Sequence, residues 1–236
     1  MITPSISWFE RYRPSDIDEI VFSNDAQKNI VKSWIDNESI PGNVLLSGPA
    51  GTGKTTTAIV IIRKIIKNQA DLCRIKTRSV SDVDEKIVPF VQKKPVSSKC
   101  KIVLIEELDR TSRQFQAQLK EDLMEKYQEW VSFICCTNHP KRIDHALLSR
   151  FTFQIEFKSD NIQDIKNRLE FILNQEKANY NPEELINFVT KNYRAGLRNL
   201  INSLHVSYLS NNGNINFTSL EQNLNIEDNI VSCIVT

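Results

Sequence analysis

Five short apolar segments punctuate the first two thirds of the chain, and amphipathic patterns separate them. In the segments at 44–47, 101–105 and 131–136 the apolar residues run consecutively, which is typical of strands buried on both faces of a parallel sheet. The segment at 71–76 is a further strand, and the one at 151–157 alternates like an edge or half-buried strand. Strands that alternate with helices predict an α/β fold with a parallel five-stranded sheet and right-handed crossovers.

Apolar residues spaced three or four positions apart predict the helices. The predicted helices are at 25–35, 56–67, 81–91, 111–127 and 144–149, and then, in a region without strands, at 160–178, 182–191 and 197–209, with a last short one from Thr218. Thr111 and Asn181 are expected to cap two of these helices. The pattern predicts an α/β domain over 1–158, a small all-α domain over 159–224 and a short tail over 225–236.

One loop carries the clearest chemical signal. Residues 48–55 read Gly-Pro-Ala-Gly-Thr-Gly-Lys-Thr and fit G-x-x-x-x-G-K-[ST], directly after a predicted strand and directly before a predicted helix. Glycines let successive N–H groups wrap an anion, and the helix N-terminus adds partial positive charge. A nucleotide phosphate is expected to bind Pro49, Ala50, Gly51, Thr52, Gly53, Lys54, Thr55 and Thr56. Lys54 would reach the β- and γ-phosphates and the Thr55 hydroxyl would ligate Mg²⁺; the alternative is a chance glycine turn.

Two carboxylates follow a buried strand at the place where such loops need them. Glu106 and Glu107 come directly after strand 101–105, and P-loop ATPases hold Mg²⁺ with a carboxylate at such a strand end. We expect Glu106 to hold Mg²⁺, directly or through a water, and Glu107 to act as general base toward the attacking water. Asn138 ends the next strand, where its amide is placed to bond that water or the γ-phosphate. The alternatives are an acidic strand end that supports the following helix and an asparagine that forms a turn.

Composition restricts the class of protein. The formal net charge of +1 gives no global basic field, so a nucleic-acid site must be a local patch. The five cysteines include no C-x-x-C pair, and the adjacent Cys135 and Cys136 are expected in the core, not in a disulfide or metal site. The N-terminus has no apolar signal region, and no apolar run is long enough to span a bilayer. These features predict an intracellular protein in a reducing compartment, with no membrane partner.

The N-terminal sequence and several later positions match one family. Residues 8–14 read Trp-Phe-Glu-Arg-Tyr-Arg-Pro and resemble the W-x-E-K-Y-R-P box of clamp-loader ATPase subunits, the small subunits of replication factor C and their phage counterparts. Further matches at similar spacing are 18–21, Pro41, 48–55, Glu106-Glu107, Asn138, Ser149-Arg150 and 196–198. The resemblance runs from about Trp8 to Leu224.

The resemblance implies an AAA+ nucleotide domain followed by a helical lid, with ATP and Mg²⁺ as cofactors. The adenine pocket would be lined by Tyr12, Arg13, Pro14 and Val21. Asn138 looks like the sensor 1 residue, and Arg198 looks like sensor 2, a lid arginine that reaches the γ-phosphate of its own subunit. Arg150 matches the arginine of the S-R-C motif, which in the family acts in trans on ATP held by a neighbouring subunit. The alternative for Arg150 is a surface cation at a helix end.

The resemblance also implies partners: a sliding clamp, primer–template DNA and other clamp-loader subunits in a hetero-oligomeric ring or spiral. DNA phosphates would be contacted by cations at two helix starts, Lys76, Arg78, Arg110 and Arg113. Such binding would depend on salt and recognise primer–template shape instead of base sequence. Ordinary solvated capping residues are the alternative at these positions. The protein would act in the cytoplasm, that of a host cell if phage-encoded, or in a eukaryotic nucleus.

Three features depart from the family pattern. Glu106 stands where the family usually has Asp, which moves the carboxylate outward by one methylene. Phe151 replaces the Cys of S-R-C and is expected to be a packing change. The helical collar domain that usually follows the lid is expected to be absent, because the chain ends at Thr236.

These observations support three hypotheses. The main one is an ATP-binding and hydrolysing subunit of a DNA polymerase sliding-clamp loader, which opens the clamp and loads it on primer–template DNA. The second is a nucleotide-binding scaffold that seldom hydrolyses ATP but donates Arg150 to a neighbour, and Glu106 and the missing collar favour it. The third is another AAA+ ATPase, such as a helicase loader, and the N-terminal box argues against it.

Overall fold

The computed structural model describes residues 6–75, 80–158 and 161–220. Contacts between Cα atoms divide this part of the chain into two compact units. The sheet unit is Pro14–Lys158, and the helical unit is the described part of Met1–Arg13 and Ser159–Thr236. This division differs from the expected domains at the N-terminus, because residues 6–13 group with the helical unit.

The sheet unit contains a five-stranded sheet in which every pair is parallel, with the order β2-β3-β4-β1-β5. The strands are β1 (Val44–Ser47), β2 (Leu72–Ile75), β3 (Lys101–Ile105), β4 (Val131–Thr137) and β5 (Phe153–Glu156). β1, β3 and β4 lie inside the sheet and are buried along their whole length, whereas β5 is an edge strand with partly exposed side chains. The expected parallel five-stranded sheet is confirmed.

The helices lie at the following positions. They are α1 (Trp8–Arg11), α2 (Asp25–Asp36), α3 (Lys54–Ile65), α4 (Val88–Val91), α5 (Arg113–Gln118), α6 (His145–Leu148), α7 (Ile162–Gln175), α8 (Pro182–Asn192) and α9 (Leu197–Ser210). Short 3₁₀ segments lie at Ile17–Glu19, Gln69–Asp71, Leu108–Arg110, Pro140–Arg142 and Tyr193–Ala195, and π-helical turns lie at Val83–Ile87 and Leu119–Leu123. Residues 217–220, at the end of the described chain, are also helical.

Two apolar layers enclose the sheet, because successive strand residues point to opposite faces. Leu46, Leu104 and Cys136 belong to one layer, together with α2 and α3 residues such as Val31 and Ile61. The neighbouring strand residues Leu45, Val103 and Cys135 belong to the other layer. That layer also holds Phe115 of α5 and Leu119 of the π-turn that follows α5. The unit is therefore a three-layer α/β/α sandwich.

The helix predicted over 111–127 begins later and ends earlier than expected. Ser112 caps it instead of Thr111: the Ser112 Oγ accepts from the Phe115 N–H at 3.1 Å, while Thr111 Oγ1 donates to the Leu108 carbonyl at 2.7 Å. The expected cap at Thr111 is therefore wrong, because that hydroxyl closes the preceding 3₁₀ turn. After Gln118 the chain widens into the π-turn Leu119–Leu123, which buries both of its leucines.

The helical unit is built from α7, α8 and α9 together with the N-terminal arm, residues 6–13. Asn181 caps α8 as expected, since its side chain accepts from the Glu183 N–H at 2.9 Å. The arm is held by Trp8, which is 1% exposed and stacks on His205 of α9 with ring centroids 5.0 Å apart. Arg11 adds an ion pair with Glu176 at 2.6 Å. These contacts explain why the arm groups with helices that come much later in the sequence.

A buried carboxylate ties the loop before β3 to the start of β2. Asp71 is fully buried; its Oδ1 accepts from the Val96 N–H at 2.7 Å, and its Oδ2 accepts from the Ser97 and Ser98 N–H groups at 3.1 and 3.0 Å. Burial on its own raises the pKa of Asp71, but the three N–H donors outweigh it and leave the pKa below its ordinary value of 3.8. Asp71 is therefore charged in the fold at neutral pH.

Asp71→Asn is expected to destabilise the sheet unit by about 1.5–3 kcal/mol at pH 7, because the asparagine NH₂ would face backbone N–H donors. A carboxylate whose folded pKa is lowered stabilises the fold above its unfolded pKa and loses that contribution as the pH falls. The cost of the substitution should therefore shrink when the pH is lowered from 7 to about 3. Urea unfolding at the two pH values measures it, with the exposed Asp122→Asn as control. An equal cost at both pH values would contradict this account.

Candidate nucleotide-phosphate site

The phosphate loop (residues 48–55) joins β1 to α3 and is shaped by glycines. Gly48, Gly51 and Gly53 have φ values of +139°, +77° and +104°, which side chains other than glycine rarely adopt. Gly53 is the N-cap of α3, so the loop leads directly into the first turn of a twelve-residue helix. The backbone N–H groups of that turn have no partner within the helix and carry partial positive charge. This part of the chain therefore fits an anion.

Lys54 is held inside the loop. Lys54 is only 6% exposed. Its Nζ donates to the carbonyls of Gly48 at 2.8 Å and Pro49 at 2.6 Å. Thr52 Oγ1 also donates to the Pro49 carbonyl, at 2.8 Å. The ammonium group is thus fixed at the loop, where a phosphate bound by the N–H groups would meet its charge.

Gly48→Ala is expected to destabilise the sheet unit by more than Gly53→Ala. Both positions have positive φ, which costs an L-residue about 1–2 kcal/mol. A Cβ at Gly48 would also lie 2.2 Å from the Phe157 carbonyl oxygen, whereas a Cβ at Gly53 meets nothing within 4 Å. Urea unfolding of the two variants separates the cost of the clash from that of the backbone angle. Equal losses of unfolding free energy in the two variants would mean that the backbone at Phe157 can move away from a Cβ at position 48.

A buried thiol lies beside the side chains that the sequence predicts as Mg²⁺ ligands. Burial and the nearby Glu106 carboxylate raise the pKa of Cys136 to about 12, while the Lys54 ammonium and a hydrogen bond with the Thr55 side chain act to lower it. Cys136 on β4 therefore lies close to all three. β4 lies between β1 and β3 in the sheet, so the carboxyl ends of these strands bring together the loop and Glu106, as the sequence led us to expect.

Glu107 occupies an unusual backbone conformation. Its φ of 57° and ψ of 50° place it in the left-handed region, which is uncommon for a residue other than glycine. Its side chain is 38% exposed and lies 3.5 Å from the Arg110 guanidinium. Strained residues of this kind cluster at functional sites, and this turn directs the chain away from β3 just after Glu106.

Asp109 links the Glu107 turn to Asn138 and was not among the residues expected to be functional. Its Oδ1 accepts from Thr137 Oγ1 at 2.9 Å and from the Asn138 N–H at 3.1 Å. Asp109 is buried, so it fixes the backbone of Asn138 relative to the turn. In the sequence, Asp109 is marked only by its position two residues after Glu107. The acidic residues there were already interpreted as the end of a strand.

The side chains at this sheet edge fit Mg²⁺ bound with a nucleotide. The Thr55 hydroxyl and the Glu106 carboxylate are oxygen donors, which Mg²⁺ prefers, and Mg²⁺ usually takes only one or two protein ligands beside phosphates and waters. No group of three or more His, Cys, Asp or Glu side chains in the described ranges could hold a metal ion.

The remaining expected nucleotide contacts are divided between the two units. Tyr12, Arg13 and Arg198 belong to the helical unit, whereas Pro14, Val21 and Thr56 belong to the sheet unit. Arg198 and Arg13 share one neighbour: their guanidinium carbons lie 4.4 and 5.8 Å from the centroid of the Phe9 ring. The Tyr12 hydroxyl donates to Glu176 Oε1 at 2.8 Å, and its carbonyl accepts from Arg168. Arg13 and Arg198 are thus brought together, on an aromatic residue that the sequence did not single out.

The candidate cations for a neighbour or for DNA lie elsewhere on the sheet unit. Arg150 follows α6 and forms an ion pair with Glu125. Arg110 and Arg113 are exposed, at the end of a 3₁₀ segment and at the start of α5. Lys76 and Arg78 lie outside the described residues. Within the described ranges, none of the helices is both long and apolar enough to cross a membrane.

Comparisons with known proteins agree with this geometry. The AAA family, ATPases associated with various cellular activities, matches residues 44–159. The replication factor C small subunit of Methanothermobacter thermautotrophicus is 32% identical over 78% of this chain and 58% of that protein. Replication factor C subunit 3 of Blastobotrys adeninivorans is 30% identical over 87% and 61%, and the small subunit of Aeropyrum pernix is 31% identical over 86% and 63%.

The chain spans about six tenths of the length of these curated relatives. Among solved structures, the Holliday junction branch migration motor RuvB of Thermotoga maritima has a TM-score of 0.68 at 16% identity, covering 91% of this chain and 72% of that one. At such low identity this likeness shows the fold alone. Residues 44–159 therefore belong to the AAA family of ATPases, and over most of its length the chain is similar to replication factor C small subunits.

Proposed function

We propose that the chain is an ATP-binding and hydrolysing subunit of a sliding-clamp loader. One observation carries the proposal: the phosphate loop, the Glu106-Glu107 pair and Asn138 follow β1, β3 and β4, which are neighbours in a parallel sheet. Ligands of open α/β sheets bind at the carboxyl ends of the strands. The curated relatives, which are named as replication factor C subunits, support the assignment to a clamp loader in particular.

In this proposal each side chain of the site has its own task. Lys54 binds the β- and γ-phosphates, and the Thr55 hydroxyl and Glu106 hold Mg²⁺, which when bound neutralises phosphate charge. Glu107 takes a proton from the attacking water. Asn138, whose backbone Asp109 fixes, bonds that water or the γ-phosphate. Arg198 reaches the γ-phosphate of the same subunit, and the adenine is bound by Tyr12, Arg13, Pro14 and Val21.

The proposal also includes partners inside the cell. Arg150 acts on ATP held by a neighbouring subunit, so the lone chain would be a poor ATPase. The other loader subunits, the sliding clamp and primer–template DNA complete the assembly. Arg110 and Arg113 are exposed and remain candidates for contacts to DNA phosphates, as do Lys76 and Arg78.

Co-purification tests this function. The tagged chain is recovered from its native cells with Mg²⁺ and a slowly hydrolysed ATP analogue, and its partners are identified. We expect a sliding clamp and a second loader subunit, with the clamp lost from a Lys54→Ala variant that cannot bind the phosphates. Recovery of a helicase or an unfolded client without a clamp would refute the clamp-loader assignment. Recovery of equal amounts of clamp with the wild type and with Lys54→Ala, in the absence of nucleotide, would also refute it.

A further inference from the structure

β2 and β3 place a cation beside the carboxylate assigned to Mg²⁺. In their parallel register Arg74 pairs with Leu104, and Glu106 comes two residues after Leu104. Residues two apart on a strand share a face, so Arg74 and Glu106 project on the same side of the sheet. The Arg74 Nη2 donates to Glu106 Oε1 at 2.8 Å.

This side of the sheet is also the side of the phosphate loop helix. Leu104 packs in the same apolar layer as α3 residues such as Ile61, and α3 begins at Lys54. The Glu106 carboxylate and the Thr55 side chain both affect the pKa of Cys136, which agrees with this placement. Arg74 and the proposed metal ligands therefore meet at one carboxylate.

A single carboxylate binds two cations at once only weakly, so Arg74 and Mg²⁺ would compete for Glu106. The side chains are 39% and 24% exposed, and an ion pair this open to water is weak. A divalent cation held by phosphates can therefore displace the guanidinium. Because glutamate has one more rotatable bond than aspartate, its carboxylate can change partners by rotation without moving the strand.

We propose that Arg74 is a positioning residue that competes with Mg²⁺ for Glu106 and so sets the Mg²⁺ concentration at which the site binds ATP. The inference rests on the ATP site proposed above and adds to it a control of metal affinity. Loss of the Arg74 charge strengthens Mg²⁺ binding, because it removes a competitor for the Glu106 carboxylate. The effect depends on Glu106 and disappears when its carboxylate is removed.

A Mg²⁺ titration tests the proposal without measuring hydrolysis. Binding of a fluorescent ATP analogue to the chain is followed as Mg²⁺ is raised, in the wild type and in Arg74→Gln. The half-saturating Mg²⁺ concentration is expected to fall about three- to tenfold in Arg74→Gln, given screening at a half-exposed site. Arg74→Lys, which keeps the charge, should stay near the wild type.

Two controls separate the contact from other effects. Arg63→Gln removes the same charge about 14 Å along α3 from Lys54 and should leave the titration unchanged. In a Glu106→Gln background, Arg74→Gln should have no further effect, as a double-mutant cycle requires for a pair that acts together. Urea unfolding of each variant establishes that it is folded.

The outcomes distinguish this inference from the function on which it rests. An unchanged or raised Mg²⁺ requirement in folded Arg74→Gln overturns the inference, and so does the same fall in the Glu106→Gln background. If the wild type fails to bind the analogue, or binds it no better than Lys54→Ala, the proposed ATP site itself is refuted.

Discussion

Replacing Glu107 with glutamine is expected to lower the ATPase rate of the assembled complex by about 10²- to 10⁴-fold, the usual contribution of a general base. Glutamine cannot take a proton from the attacking water. It keeps the size of the side chain and the Cβ, so the left-handed backbone at this position is strained to the same extent. ATP binding, which depends on the phosphate loop, should therefore persist. Steady-state ATPase rates and analogue binding measure the two effects.

Glu129→Gln is the matched control for this substitution, since Glu129 is exposed and no catalytic role is proposed for it. Its complex should hydrolyse ATP at the wild-type rate. An unchanged rate in Glu107→Gln would mean that other subunits carry out all of the hydrolysis. The chain would then be the nucleotide-binding scaffold that donates Arg150 to its neighbour.

Arg150→Ala is expected to reduce ATP hydrolysis at the neighbouring site by about 10³- to 10⁵-fold, as arginine fingers do in GTPases. The chain's own phosphate loop is untouched, so the variant should bind ATP analogue normally in isolation. Arg150→Lys should recover little of the rate, because lysine lacks the planar fork of donors. ATPase assays on complexes assembled with the variant, beside analogue binding to the variant alone, measure the two effects.

The ion pair of Arg150 with Glu125 provides a further comparison. If Arg150 acts on a neighbour, Glu125→Gln should leave the arginine available and hydrolysis largely intact. Arg142→Ala removes another exposed cation near α6 and serves as the charge control. Full activity in the Arg150→Ala complex would identify Arg150 as an ordinary surface cation at a helix end.

The sheet could be predicted from sequence because each strand has its own local signal. The consecutive apolar residues of β1 and β3 gave the bounds that the structure shows, 44–47 and 101–105. The end of α5 had no such signal. Leu119, Leu123 and Met124 are all buried, and apolar residues four and five apart fit both a continuing α-helix and the π-turn that forms. The cap at Ser112 was missed because two adjacent residues, Thr111 and Ser112, both carry a hydroxyl that could cap the helix. In the structure the Thr111 hydroxyl donates to the Leu108 carbonyl instead.

The candidate site was predictable where its residues are contiguous. The phosphate loop is a single motif, and its position between β1 and α3 follows from it. Asp109 and Arg74 were missed because their contacts join residues 28 and 32 positions apart. The arm was assigned to the sheet domain for a similar reason: nothing within residues 8–14 indicates that Trp8 stacks on a ring in α9.

That stacking joins the N-terminal arm to α9, which lies near the end of the described residues. The Trp8 backbone N–H donates to His205 Nδ1 across 197 positions of sequence. On a ribosome that adds about 5–20 residues per second, α9 emerges roughly ten to forty seconds after the arm. The sheet unit can fold during that interval, while the indole of Trp8 has no ring to stack on. The arm is synthesised before the sheet unit but is therefore buried after that unit can fold, and the Trp8 side chain stays exposed until α9 has been made.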